Sequence, residues 1–145
     1  MKQKDKINKK LLNIRGKVIH DCIEIEDLLM LEITDYFFKK NSPQKTLFYW
    51  LIINTRKYDF EDKIQLFEKI PYFQKRGYYK KVKESLRYVQ QLRNKLAHWD
   101  LIVGKSKIDH IVIRDPIKVN DFIITNNIIE EFNEHKKFLV EFFLR

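Results

Sequence analysis

Cysteine occurs once in this chain of 145 residues, at position 22, and a lone thiol excludes an internal disulfide framework. That fits a reducing cytosol, and the setting of Cys22 among Ile19, Ile23 and Ile25 marks it as a small core residue. Glycine and proline are scarce as well, three of each, so no Gly- or Pro-rich linker divides the chain, and residues 1–145 read as one domain. No segment offers the roughly eighteen consecutive uncharged apolar residues that a bilayer-spanning helix needs. The Lys-rich start is not followed by the apolar run of a signal peptide, so a cytoplasmic protein with no membrane partner is expected. His20, His110 and His135 lack metal-ligand spacing with one another, and a single cysteine cannot build a structural zinc site. There is no glycine-rich phosphate loop and no GxSxG elbow, so neither metal nor cofactor is expected.

What the chain has in excess is positive charge. Its formal net charge is +9, and the excess is concentrated. Residues 1–17 carry seven basic side chains against Asp5, and residues 75–96 carry eight against Glu84. Such a distribution attracts polyanions, nucleic acid ahead of membrane, because no segment pairs a basic face with an exposed apolar one.

Apolar periodicity sets the fold class. Val18, Cys22, Ile25, Leu29, Ile33 and Phe37 recur at helical spacing over residues 17–40, and Asn41, Ser42 and Pro43 end that helix. Residues 43–70 read as one long or two shorter helices. After a loop through Gly77, Val82, Leu86, Val89 and Leu96 mark one face of a helix that ends at His98. The period then changes to short β-branched runs, a hairpin or meander over about residues 101–124. Thr125, Asn126 or Asn127 can cap a last helix. The expectation is a mainly α protein: a bundle of about four to five helices with a small β-excursion before the last one.

The segment "LRNKLAHWD", residues 92–100, does not fit a purely structural helix. On a wheel of about 100° per residue, Arg93 falls near the centre of the arc drawn by Val82, Leu86, Val89 and Leu96, while His98 lies about 140° further round with Lys80, Arg87, Gln91 and Asn94. A permanent cation on the inward face calls for a carboxylate, a phosphate or a polar interface. Glu26, near the centre of the first helix's apolar face, is a misplaced charge of opposite sign. An Arg93–Glu26 pair is either purely architectural or holds the guanidinium in a working pose. Within one helix Arg93 and His98 do not converge on one small ligand, unless a second copy of the chain supplies its own pair.

The string "RNKLAH", residues 93–98, resembles the signature of HEPN domains, whose active members carry an arginine, a polar residue, three more residues and a histidine near a helix end. The resemblance implies a metal-independent endoribonuclease of toxin or anti-phage defence type that works as a homodimer. Its implied catalytic residues are Arg93, Asn94 and His98, with both motifs facing one cleft. RNA is the implied substrate, and a cognate antitoxin or other neutralising protein is a candidate partner. Toxins of this kind paired with a nucleotidyltransferase antitoxin often carry a tyrosine two residues after the histidine, and here that position is Asp100, which cannot be modified in that way.

Chemistry supports the same roles. Cleavage without metal requires a base for the 2′-OH, an acid for the 5′-oxygen and a cation for the phosphorane-like transition state. His98 suits the proton transfers, the planar fork of Arg93 suits the phosphate, and Asn94 suits orientation of the 2′-OH. Lys80, Arg87, Lys95 and Trp99 are the expected RNA contacts. Asp100 is placed to orient His98 by accepting from its ring if the chain turns after the helix. The competing reading is a non-catalytic HEPN-like module that binds RNA or nucleotide or a protein partner, since a fold and a motif do not guarantee turnover.

Overall fold

Helix formation begins at the third residue. In the computed structural model, which describes residues 2–38, 42–55 and 58–145, the first helix α1 runs over Gln3–Phe37. The expected start near residue 17 is therefore corrected. Ile7 and Leu11, one helical turn apart, are buried in the core while the lysines around them lie along the surface. Lys40 and Asn41 lie outside the described residues, but the Ser42–Pro43 stop acts as a start: the Ser42 hydroxyl accepts the N–H of Lys45 at the head of α2 (Pro43–Phe48). α2 widens into one π-helical stretch, Tyr49–Ile53.

Asp59 and Asp62 form a capping box that opens α3 (Phe60–Lys69), and Pro71 starts the short α4 (Pro71–Gln74). α5 covers Tyr79–His98 and has the expected end. Three short antiparallel strands follow, β1 (Asp100–Leu101), β2 (Ile111–Arg114) and β3 (Asp121–Ile124), in the order β1-β2-β3. Asp100 pairs with Arg114, and Ile113 with Phe122. The Thr125 hydroxyl accepts the N–H of Ile128 and opens α6 (Asn126–Phe143). The chain is mainly α with a small sheet before the last helix, as the periodicity indicates. Among the described residues no helix is long and apolar enough to cross a membrane.

The core lies between α1, α3, α5 and α6 and includes Ile25, Leu29, Phe67, Leu86, Val89 and Phe132. Cys22 belongs to it. Its thiol faces the carbonyl of Val89 at 3.6 Å, and burial pushes its pKa up to about 12 against the opposing field of Arg93. Such a thiol is inert toward oxidation and metals. Between α5 and α6, Ser85 lies 2.8 Å from Nδ1 of His135, whose ring stacks on Tyr88. Asp21 of α1 takes Lys17 and Lys136 at 2.8 and 2.9 Å. Burial raises its carboxyl pKa, but the two ammonium groups prevail and hold it below the usual range.

The wide apolar face of α1 is only partly covered. Ile23, Leu31, Tyr36 and Phe37 are exposed, and so are Leu47, Trp50, Leu51 and Ile52 in the neighbouring segment, with Trp50 at 61% and Leu51 at 67%. Leu31, Tyr49 and Trp50 line one groove there.

Candidate functional site

α5 is continuous through the motif, which fixes where its side chains go. Arg93 sits on the inward face, as the wheel requires, yet it is only half-buried, because the start of α3 leaves a gap at that level. The gap is a cleft of about 330 Å³ lined by Glu26 of α1, Lys63 of α3, Arg93 of α5 and the segment Asn54, Thr55, Tyr58, Asp59 and Phe60. Arg93 and Glu26 thus meet in one cleft, but the expected ion pair between them is not made. Lys63 occupies that place, with Nζ 2.5 Å from Glu26 Oε1 and 4% exposure. Lys63 lies on the same helical face as Phe60, Ile64 and Phe67, so the reasoning that singled out Glu26 also applies to it. Among the described residues no carboxylate or carbonyl is hydrogen-bonded to the Arg93 guanidinium, although Glu26 and Asp59 share its cleft.

His98 is the last residue of α5 and is exposed. The helix end beneath it is tied down. Trp99 N–H donates to the carbonyl of Lys95, and the Trp99 carbonyl accepts Nη2 of Arg15 from α1 at 2.5 Å. Arg15 Nε is buried and, among the described residues, has no hydrogen-bond partner. This contact brings the basic N-terminal part of α1 beside the end of α5, which sequence spacing does not reveal. The Trp99 ring packs partly against the core, with Lys95 Nζ 5.7 Å from its centroid and 4.3 Å from that of Phe122. Asn94 is half-buried on the neighbouring edge of the helix.

Two expected roles are not supported by the contacts. Arg87 does not stand on an open basic face: its guanidinium donates to Glu61 and Glu68 of α3, at 2.5 and 2.7 Å. The Glu68 hydrogen bond is the largest of the forces that raise its pKa, opposed by burial, and Arg87 is committed to the α3–α5 packing. Arg87→Ala is therefore expected to cost about 1 kcal/mol of stability, visible as a lower Tm, with RNA affinity unchanged. Asp100 is exposed on β1, and the chain passes from α5 directly into that strand; among the described residues no hydrogen bond joins it to His98. Lys80 is exposed, but about 27 Å from His98 along the helix axis.

The aromatic side chains that could stack on bases divide in the same way. Tyr88 is taken by His135, Tyr79 stacks on Phe67 and donates its hydroxyl to the Glu68 carbonyl, and Phe48 and Tyr49 pack against the core. Tyr78 and Trp50 stay exposed. Within one chain the motif therefore presents two separate groups on one helix: a cation in a cleft on the inward side and an exposed imidazole at the end, on the other side. Against protein-family models, curated proteins and solved structures alike, the chain has no match.

Proposed function

We propose that this chain is a metal-independent endoribonuclease of toxin or anti-phage type, acting on RNA as a homodimer in the cytoplasm. The observation that carries the reading is Arg93, an inward-facing guanidinium that opens into a cleft with no acceptor bonded to it among the described residues, on the helix that ends at the exposed His98. A half-buried guanidinium whose fork is not taken up by a carboxylate is free to bind a ligand anion in bidentate fashion.

In this reading one His98 takes the proton of a ribose 2′-OH, and the 2′-oxygen attacks the adjacent phosphorus. Arg93 binds the non-bridging oxygens as their charge grows. The P–O5′ bond breaks, and the 5′-oxygen leaves with the proton that the same imidazole has taken up. The products are a 2′,3′-cyclic phosphate and a 5′-hydroxyl. Asn94 orients the 2′-OH, while Lys95 and Trp99 contact the flanking strand. The second copy is needed because Arg93 and His98 of one chain open on different sides. The exposed run Leu47, Trp50, Leu51 and Ile52 leads directly to Asn54 and Thr55 of the cleft and offers the apolar surface on which that copy seats. A neutralising partner protein would act by covering the same end of α5.

The second reading, a nucleotide- or RNA-binding module without turnover, is favoured by the same separation of Arg93 from His98. An RNase assay in EDTA separates the two. Cleavage is expected to survive chelation, because His98 and Arg93 supply the acid–base and electrostatic contributions. Activity that disappears in EDTA and returns with Mg²⁺ would overturn the site assignment, and binding without cleavage would favour the module.

A further inference from the structure

The Arg93 cleft holds more than a phosphate anchor needs. Beside the guanidinium stand a half-buried tyrosine, Tyr58, and two carboxylates that, among the described residues, each keep an oxygen free of hydrogen bonds. Glu26 gives Oε1 to Lys63 and retains Oε2; Asp59 gives Oδ1 to the N–H of Asp62 and retains Oδ2. At about 330 Å³ the cleft lies within the size range of small-ligand pockets. The Glu26 charge is balanced by Lys63, which leaves Arg93 as the cation of the lining that can take an anion.

We infer that this cleft, between α1, α5 and the start of α3, binds a guanine nucleotide, with the phosphate on Arg93, the base against Tyr58 and its Watson–Crick edge on the free oxygens of Glu26 and Asp59. Taking Arg93 as the phosphate anchor of an RNA chain rests on the function proposed above. The choice of base follows from the lining. Carboxylates accept and do not donate, so they select an edge that presents donors. Guanine offers two adjacent donors there, N1–H and N2–H. Adenine, cytosine and uracil each place at least one acceptor beside a single donor and meet the carboxylates with lone pairs opposed. Unstacked bases of single-stranded RNA are read in this way, by an aromatic face and by their Watson–Crick edge. The consequence for the RNA is a guanine next to the scissile phosphate.

The test is titration calorimetry of the full chain in EDTA with the 5′-monophosphates of guanosine, adenosine, cytidine and uridine, with an RNase assay run in parallel. GMP is expected to bind saturably and about tenfold more tightly than the other three. Arg93→Ala should weaken all four. Asp59→Asn, which keeps the α3 cap and with it the melting temperature, should remove the preference for GMP. Absence of saturable GMP binding, or equal binding of all four nucleotides that Asp59→Asn leaves unchanged, would overturn the inference. The nuclease reading fails separately: GMP preference in a protein that cuts no RNA upholds the guanine site and removes the catalysis, whereas cleavage without GMP binding does the reverse.

Discussion

His98→Ala is expected to lower RNA cleavage by about 10²- to 10⁴-fold, the range that a positioned general acid or base contributes. The fold should not register the loss. His98 is exposed at the last position of α5, and the helix end is held by backbone contacts, Trp99 N–H to the Lys95 carbonyl and Arg15 to the Trp99 carbonyl, none of which uses the imidazole. Stability should therefore stay within about 1 kcal/mol of the parent, as for surface substitutions away from special features. RNA binding should persist, because Arg93 and Lys95 remain. A variant that is equally active would end the ribonuclease reading. One that melts well below the parent would mean that the imidazole supports the helix end instead.

The largest effect on stability is expected at the Glu26–Lys63 pair. Glu26→Leu leaves the Lys63 ammonium, 4% exposed, without its counter-charge, and breaking a buried pair from one side costs about 3 to 5 kcal/mol. The double change Glu26→Leu with Lys63→Met should recover most of that loss, since apolar side chains of similar size often replace a buried pair without penalty. Arg93→Ala should behave differently, costing about 1 kcal/mol or less, because no buried acid depends on it. Urea melts of the three variants and the parent measure this directly. If Arg93→Ala were as destabilising as Glu26→Leu, the guanidinium would be structural, and its availability for phosphate would be lost as an argument.

How much of this was legible in the sequence follows from what a helical wheel can and cannot show. The wheel places Arg93 on the inward face of α5 and His98 on the open side, and both positions hold in the structure, because they depend only on the periodicity of a single helix. It does not show which helix arrives opposite. Glu26 had two cations within reach of its face, Arg93 and Lys63, and the approach of α3 decided for Lys63. The same approach brought Glu61 and Glu68 to Arg87, which the wheel of α5 alone leaves in solvent. The early start of α1 was hidden by composition: the lysines between Ile7 and Leu11 lower the apolar signal, although their long stems are compatible with a half-buried helix. The cleft itself was illegible, because it is a gap at the N-terminus of α3 and its lining comes from three separate stretches of chain.

The central claim is that two copies of the chain complete one metal-free site, the Arg93 cleft of one copy facing His98 of the other. Its most direct test is to mix purified Arg93→Ala and His98→Ala proteins under conditions that exchange subunits, and to assay RNA cleavage in EDTA. Each mutant alone should be inactive. In a mixed dimer, one of the two composite sites has both its arginine and its histidine, so an equal mixture should recover about a quarter of wild-type activity, with 2′,3′-cyclic phosphate ends on the products. A mixture that exchanges subunits and stays as inactive as its components would contradict the account.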